Sequence, residues 1–213
     1  MDANTKAIYD IKLNKTKEAL EKNHFFCRVA ATKADALAAV KALLKEGDVV
    51  AVGGSMTLFE TGVIDLLRNG SYTFLDRYAS GLTREQVSAI HVQAFGADVY
   101  LTGTNAVTEN GELVNVDGAG NRVAAMLYGP KSVIVVAGIN KLVPDVDAAY
   151  ARIRQIAAPA NCLRLGMKTP CAVLGHCADC GSPDRICADY VTMGRQRTDG
   201  RVKVILVAEE LGY

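Results

Sequence analysis

Residues 48–57, DVVAVGGSMT, decide how this chain folds. The segment from Asp48 to Val52 is almost continuously apolar, which is typical of a strand buried on both faces of a parallel sheet. It leads directly into Gly53-Gly54-Ser55-Met56-Thr57, and a helix is predicted to follow from Leu58 to Arg68. A strand that ends in glycines before a helix directs backbone N–H groups at an anion, so this turn is a candidate phosphate or carboxylate site. Because no lysine follows the glycines, the segment is not a nucleotide-triphosphate P-loop.

The same turn also has a purely structural interpretation. Thr57 would then be the N-cap of the helix, and Glu60, three residues later, would complete a Thr-x-x-Glu capping box. Glu60 is also a candidate catalytic residue, as a general base or nucleophile. The capping box is the structural alternative to that role.

Strands and helices alternate along the chain on both sides of this segment. Further strands are predicted at 25–29, 72–75, 98–102, 132–137 and 202–208, and further helices at 5–23, 33–46, 83–95, 123–128 and 146–157. The last of these helices is expected to end at Pro159. The alternation predicts a single α/β domain over residues 1–213 with a mostly parallel sheet. An antiparallel hairpin is predicted at 107–116, with its turn at Glu109-Asn110-Gly111.

The composition excludes several classes of partner. With 213 residues, 22% of them charged, and a formal net charge of +1, the chain has no concentrated basic face for nucleic acid, and it contains no tryptophan. The longest apolar run, Val133 to Ile139, is too short to span a bilayer. Residues 1–17 contain no apolar signal core, so we expect a cytoplasmic protein that neither enters a membrane nor binds nucleic acid.

A polar, glycine-rich stretch from Asn105 to Arg122 forms the second candidate site. The hairpin would carry its side chains over the carboxyl ends of neighbouring parallel strands, where open α/β sheets bind ligands. Asn105 and Asp117 are further candidate catalytic residues, and Arg122 suits a carboxylate or phosphate ligand. Together with the turn at 53–57, the predicted ligand-binding residues are Gly53, Gly54, Ser55, Thr57, Thr104, Asn105, Glu109, Asn115, Asp117, Gly118, Gly120, Asn121 and Arg122. Ordinary hairpins also contain Asn-Gly and Asp-Gly pairs, so turn chemistry is the alternative interpretation.

Four of the six cysteines fall between residues 169 and 189. Cys171, Cys177, Cys180 and Cys187 follow the spacing C-x5-C-x2-C-x6-C, and prolines and glycines interrupt any regular element between them. A loop of this length is uncommon unless something orders it. In a reducing compartment a cysteine cluster indicates metal or redox chemistry. We therefore predict that these four cysteines hold an iron–sulfur cluster, with [4Fe–4S] as the expected type.

Zinc is the alternative metal, and packed thiols without any metal are the structural alternative. A zinc ribbon usually supplies two C-x2-C pairs, and only Cys177 and Cys180 have this spacing here. The run does not match the two-cluster ferredoxin pattern either. His176 is expected to be a solvated neighbour. Cys27 and Cys162 lie outside the cluster, and we expect both to be small buried hydrophobic side chains.

Three segments resemble the lactate-utilisation (LUD) domain family. They are GGSMTLFETG at 53–62, TNAVTENGELVNVDGAGNRVA at 104–124, and the cysteine motif TPC…GHCADC…SPDRIC at 169–187. The resemblance covers nearly the whole chain after Lys33 and is closest to small members that carry a C-terminal cysteine motif. It implies a Rossmann-like sheet of the type found in sugar-phosphate isomerases and CoA-transferases.

The resemblance also implies a function. Larger relatives belong to iron–sulfur complexes that oxidise lactate to pyruvate together with partner subunits. We therefore expect electron transfer in lactate or related 2-hydroxy-acid metabolism, with redox partner subunits or a second copy of the chain as protein partners. The alternative is an isomerase-like or transferase-like enzyme that binds a phosphate or carboxylate, in which the metal only stabilises the C-terminal segment. A third hypothesis is a non-catalytic module whose cysteines sense redox state.

Overall fold

The computed structural model describes residues 2–213 and contains two sheets flanked by helices. The strands are β1 (Phe26–Ala30), β2 (Val49–Val52), β3 (Thr73–Leu75), β4 (Val99–Thr102), β5 (Ala106–Thr108), β6 (Leu113–Asp117), β7 (Ser132–Gly138), β8 (Leu142–Val143), β9 (Asp189–Met193) and β10 (Val202–Val207). The α-helices are α1 (Ala3–Lys22), α2 (Lys33–Leu43), α3 (Met56–Glu60), α4 (Val63–Asn69), α5 (Arg84–Gln93), α6 (Asn121–Leu127), α7 (Val146–Arg152), α8 (Ala158–Leu165) and α9 (Pro170–Leu174). Six strands form the main sheet in the order β1-β10-β7-β4-β2-β3, and all neighbouring pairs are parallel. The predicted α/β fold with a mostly parallel sheet is confirmed.

The main sheet is buried on both faces. On β7, Val133 and Val135 pack against one face together with side chains of α1 and α6. Ile134 and Val136 point to the other face, where they join side chains of α2, α3 and α4. Because side chains alternate along a strand, one continuous apolar run fills both cores. All six carboxyl ends then lie at the same edge of the sheet, and the loops that follow them gather there.

A second sheet, in the order β8-β5-β6-β9, contains the predicted hairpin. Strands β5 and β6 pair antiparallel with Ala106 opposite Val114, which confirms the hairpin. The sequence did not indicate β8 or β9, so the predicted two-stranded addition is in fact a four-stranded sheet. Strand β9 pairs with β6 and places Asp189 opposite Asp117. The cysteine segment therefore ends beside the glycine-rich loop that follows β6.

The helix predicted at 58–68 is two shorter helices, α3 and α4. Gly62 lies between them with φ of +75°, a left-handed conformation that glycine adopts at little cost. The turn at this glycine lets Leu58 of α3 and Ile64 of α4 enter the same core. A single straight helix would carry only one stripe of side chains to the sheet.

The predicted capping box at the start of α3 is wrong. The helix begins earlier than predicted, and its N-cap is Ser55. Thr57 is buried in the first turn, where its hydroxyl contacts Lys141 instead of a helix N–H. Glu60 accepts a hydrogen bond from the backbone N–H of Gly212 at 2.8 Å. Both side chains therefore link α3 to other segments of the chain.

The prediction that Pro159 ends its helix is also wrong. The helical path runs from α7 through a π-helical turn, Ile153–Ala157, into α8, which ends at Leu165. Pro159 is the second residue of α8, which begins directly after the π-helical turn. Single π-helical turns often accompany functional sites, and this one adjoins the cavities described below.

Helix α1 packs across the hairpin turn. Lys12 pairs with Glu109 at 2.8 Å, and the Asn23 side chain donates hydrogen bonds to the carbonyls of Asn110 and Gly111 at 3.0 Å. No helix within residues 2–213 combines the length and the apolar character needed to cross a bilayer.

Substitution of Gly111 with alanine is expected to lower the free energy of unfolding by about 2–5 kcal/mol. Gly111 has φ of +80°, and an added Cβ would lie 2.5 Å from the backbone of Ala19 in α1. The left-handed conformation accounts for about 1–2 kcal/mol and overpacking for about 1–3 kcal/mol. Gly47→Ala is the matched control, because Gly47 has φ of +81° but no atom within 4 Å of an added Cβ. Equal losses in urea denaturation of the two variants would show that the α1–hairpin contact adds nothing.

Candidate functional site

A cavity of about 230 Å³, called here the anion cavity, opens at the carboxyl ends of β2 and β4. Open α/β sheets bind their ligands at this edge. The loops after both strands, the segment after β6, and helix α8 contribute to its walls. Of the predicted ligand-binding residues, those that line it are Gly54, Ser55, Thr104, Asn105, Asp117, Gly118, Asn121 and Arg122. The structure thus brings the two predicted polar segments together around one space.

The other predicted ligand-binding residues do not line this cavity. Gly53, Thr57 and Asn115 lie directly behind its wall, against Arg122 or Lys141. Gly120 faces the Asp189 carboxylate. Glu109 is turned away, because the hairpin turn packs on α1 and Glu109 pairs there with Lys12.

Arg122 ties the walls of the anion cavity together. Its guanidinium donates hydrogen bonds to Asn115 Oδ1 at 2.6 Å, and to Asn105 Oδ1 and the Val116 carbonyl at 3.0 Å each. Its Nε lies 3.8 Å from Asp117 Oδ1. Arg122 is only 8% exposed, and most of its N–H donors are used in these hydrogen bonds. Its main role is therefore to hold the loops together, and its charge adds to the positive potential of the cavity wall.

The three candidate catalytic residues all accept hydrogen bonds from backbone N–H groups. Glu60 accepts from Gly212, as described above. Asn105 Oδ1 accepts from the N–H of Val116 at 2.9 Å, and Asp117 Oδ2 accepts from the N–H of Val123 at 3.0 Å. These bonds fix the loops around the cavity, which is the work of positioning residues.

Lys141 is a cavity-lining residue that the sequence analysis missed. It follows the carboxyl end of β7, and its side chain is only 3% exposed. Its Nζ donates a hydrogen bond to Thr57 Oγ1 at 3.0 Å. Burial, followed by the charges of Arg152 and Arg122, lowers the pKa of Lys141 to about 7. One signal could have indicated it: this lysine stands just past the end of the most apolar strand, where α/β proteins place ligands.

Two more arginines, Arg77 and Arg164, line the anion cavity. Arg77 lies 5.4 Å from the ring centroid of Tyr78. Arg164 is held by Asn161, whose Oδ1 accepts hydrogen bonds from its Nε at 3.1 Å and from one terminal nitrogen at 2.7 Å. Together with Arg122 and Lys141, these side chains outnumber the single carboxylate of the lining, Asp117. The cavity therefore suits a small anion, and a carboxylate or phosphate has the geometry that guanidinium groups bind best.

The four predicted metal-binding cysteines line a second, smaller cavity of about 20 Å³, called here the cysteine cavity. Cys162 of α8 lines it as well, so five cysteines surround one space. Cys162 is buried as predicted, at 1% exposed, and the structure places it beside the four cysteines of the loop. The π-helical turn and Pro159 set the direction of α8, which brings Cys162 to the loop.

The thiols do not converge on a single point. Within residues 2–213, no three side chains of His, Cys, Asp or Glu are grouped as they would be around one metal ion. Burial and then the neighbouring thiols Cys162 and Cys177 raise the pKa of Cys187 to about 11. His176 is exposed, and its ring nitrogen contacts the Leu174 carbonyl, in agreement with the expected solvated position.

Arg185 holds the cysteine loop together. Its guanidinium donates hydrogen bonds to the carbonyls of Cys180 at 2.7 Å and Cys187 at 2.8 Å, and to Asp179 Oδ1 at 3.0 Å. The N–H of Asp179 also points at Cys177 Sγ, at 3.3 Å. The loop thus places one backbone N–H against a sulfur and a cation among the carbonyls of its cysteines.

The two cavities share a wall. Ile186 lines both of them, and α8 presents Asn161 and Arg164 to the anion cavity but Cys162 to the cysteine cavity. The backbone N–H of Ala188 donates to the Asp117 carbonyl at 2.8 Å, which fixes the cysteine segment against the loop after β6. A group in one cavity is therefore separated from a group in the other by little more than one side chain.

One solved structure shares the fold over most of this chain, and two others align with about half of it. A DUF162 family protein from Deinococcus radiodurans aligns over 93% of this chain and 98% of its own, with a TM-score of 0.54 and 16% identity. eIF2B beta from Chaetomium thermophilum aligns over 52% of this chain and 42% of its own, with a TM-score of 0.35 and 21% identity. Ribose 5-phosphate isomerase from Plasmodium falciparum aligns over 53% and 52%, with a TM-score of 0.33 and 18% identity.

No curated protein sequence matches this chain significantly. The LUD domain family, however, matches residues 13–207. This range contains every residue that lines the two cavities except Tyr213. The resemblance seen in the glycine turn, the hairpin and the cysteine motif is thereby confirmed. The chain belongs to the LUD domain family.

Proposed function

We propose that this LUD-domain protein binds an iron–sulfur cluster through Cys171, Cys177, Cys180 and Cys187. We further propose that it takes part in electron transfer in lactate or related 2-hydroxy-acid metabolism. One observation carries the proposal: a cavity lined by cysteines adjoins a cavity lined by cations. A redox centre and a small carboxylate would then lie side by side.

The sequence spacing favours a cluster over a single zinc ion, because only one C-x2-C pair is present. Zinc requires sulfurs at about 2.3 Å from one point, whereas each thiolate of an iron–sulfur cluster binds a different iron and stands further from the others. The four loop cysteines line one cavity of about 20 Å³, little more than one water molecule occupies, so the loop would have to open to admit a cluster. When bound, the cluster would supply one-electron transfer, and hydrogen bonds to its sulfurs would tune the potential.

The rest of this chemistry falls to residues of the anion cavity. Arg77 and Arg164 would bind the carboxylate of a 2-hydroxy or 2-oxo acid, and the Ser55 hydroxyl would contact the oxygen on carbon 2. Ile186 and α8 would separate the acid from the cluster and exclude water between them. Hydride transfer would require a flavin or nicotinamide on a partner subunit, which is why we place redox partners beside this chain.

Metal analysis of anaerobically purified protein tests the cluster. We expect brown protein that contains iron and acid-labile sulfide in equal amounts. Colourless protein with zinc in place of iron would contradict the redox assignment. That result would favour the second candidate, an isomerase-like or transferase-like enzyme with a structural metal. The buried lysine and unpartnered serine of the anion cavity are the observations that keep this candidate open.

Both candidates require that the anion cavity binds a small carboxylate or phosphate. At a concentration of 100 times Kd, such a ligand is expected to stabilise the fold by about 2.7 kcal/mol, measured as a rise in Tm. Arg164→Ala is expected to weaken binding by about 10- to 150-fold, because a charged hydrogen bond contributes about 1.5–3 kcal/mol. Arg84→Ala, an exposed arginine outside the cavity lining, is the matched control. If pyruvate, lactate and phosphate all leave Tm unchanged, the anion site is wrong.

A further inference from the structure

Lys141 occupies an unusual position for a lysine. Its Nζ is buried at the bottom of the anion cavity and makes a single hydrogen bond, to Thr57 Oγ1. The Thr57 hydroxyl in turn donates to the Leu211 carbonyl at 3.3 Å, so its lone pair faces the lysine. An ammonium group has three N–H donors, and a buried one with a single neutral partner is poorly satisfied.

The groups around Lys141 favour the neutral amine. Arg152 of α7 and Arg122 of α6 face it with positive charge, and Glu60 of α3 is the one acid whose charge favours protonation. Glu60 is bound to the Gly212 N–H, and within residues 2–213 no carboxylate lies within ion-pair distance of Lys141. Burial is the largest effect, and the resulting pKa of about 7 leaves much of the amine unprotonated at neutral pH. Desolvated lysines beside other cations are the typical amine nucleophiles of enzymes.

Two glycines keep the space around Nζ open. An added Cβ on Gly212 would lie 3.5 Å from Nζ, and one on Gly103 would lie 3.6 Å from it. The same added Cβ on Gly103 would lie 2.7 Å from Ser55 Oγ. The amine and the hydroxyl therefore border one small volume, and Ser55 Oγ is buried without a hydrogen-bond partner among residues 2–213.

We propose that Lys141 Nζ forms a Schiff base with the carbonyl carbon of a small 2-oxo acid bound in the anion cavity. The amine lone pair attacks the carbonyl carbon while the carbonyl π bond breaks toward oxygen, and a proton moves from nitrogen to that oxygen. The carbinolamine then loses water as the C=N bond forms. The inference rests on the proposed anion site, which would hold the carboxylate.

The neighbouring residues suit each part of this step. Arg77 and Arg164 supply the charge for the carboxylate, so the amine does not have to serve as the anion-binding cation. Ser55 Oγ can donate to the carbonyl oxygen, where negative charge develops. A lysine whose only task was ion pairing would gain from a raised pKa, and the burial of Lys141 acts in the opposite direction.

Reductive trapping tests the proposal. Anaerobically purified full-length protein is incubated with pyruvate and sodium cyanoborohydride, which reduces an iminium to a secondary amine. We expect a mass increase of one carboxyethyl group, located at Lys141 by peptide mapping of the unsubstituted protein. The unsubstituted protein should carry this adduct and the Lys141→Met variant should lack it. Lactate, which has no keto group, should give no adduct. At pH 7 Lys141 should be trapped faster than exposed lysines, whose amines stay almost fully protonated until the pH approaches 10.

The outcomes separate this inference from the anion site itself. If pyruvate raises Tm but no adduct forms at Lys141, the Schiff base is wrong and the anion site stands. If pyruvate gives no adduct and pyruvate, lactate and phosphate all leave Tm unchanged, both are wrong. Modification of other lysines alone, without Lys141, also overturns the inference.

Discussion

Substitution of Cys180 with serine is expected to remove most of the iron and acid-labile sulfide from the purified protein. A serine oxygen is a much poorer ligand for iron in a cluster than a thiolate. Cys180 is partly exposed, so the substitution itself should leave the main core intact. The variant should be colourless and should melt at a lower temperature than the cluster-bound protein, because metal binding contributes to the folding free energy of the segment.

Cys27 and Cys162 provide the controls for this prediction. Cys27 belongs to β1 and packs in the core of the main sheet, so Cys27→Ala should keep its full iron content. Cys162 lines the cysteine cavity from α8, but the loop already supplies four thiolates, so Cys162→Ala should keep its iron as well. An equal loss of iron in Cys162→Ala and Cys180→Ser would show that the proposed ligand set is wrong.

Arg122→Ala is expected to lower the free energy of unfolding by about 3–5 kcal/mol, the loss seen when one partner of a buried charged network is removed. The substitution leaves Asn115 Oδ1, Asn105 Oδ1 and the Val116 carbonyl without the donor that now serves them. Asn105 Oδ1 keeps its hydrogen bond from the Val116 N–H and Asn115 Oδ1 keeps its hydrogen bond from Thr104 Oγ1, so each loses one charged donor and not every partner. A hydrogen bond to a charged group contributes about 1.5–3 kcal/mol. Urea denaturation measures the loss directly.

Arg77→Ala is the matched control for this second prediction, because it removes an arginine from the same cavity lining. Arg77 contacts the Tyr78 ring but makes no hydrogen bond or ion pair with the described part of the chain, so its loss should cost less than about 1 kcal/mol. Similar losses in the two variants would show that the Arg122 network does not hold the cavity walls.

The apolar strands explain why the fold could be predicted and the strand order could not. Val133 to Ala137 is so continuously apolar that only a strand covered on both faces accommodates it. Strand β10, by contrast, comes last in the chain but pairs between β1 and β7. Such pairing depends on contacts across the whole sequence, and the local pattern at 202–207 does not contain them. The short strands β8 and β9 were missed for the same reason.

The candidate site could be predicted where polar residues cluster along the sequence. The turn at 53–57 and the segment at 104–122 both reach the anion cavity. Lys141 and Arg164 stand alone in their sequence surroundings, and only the fold gives them their neighbours. Glu109 shows the reverse error: it shares the polar character of its segment, but the hairpin turn packs on α1 and directs it to Lys12.

Electron paramagnetic resonance of the reduced, anaerobically purified protein tests the central claim most directly, namely that a cluster and a carboxylate site share one wall. Spectra are recorded with and without pyruvate at a concentration that saturates the rise in Tm. We predict a cluster signal whose g values change when pyruvate binds, because only Ile186 and α8 separate the two cavities. A protein without a cluster signal, or a cluster signal that saturating pyruvate leaves unchanged, would contradict the account.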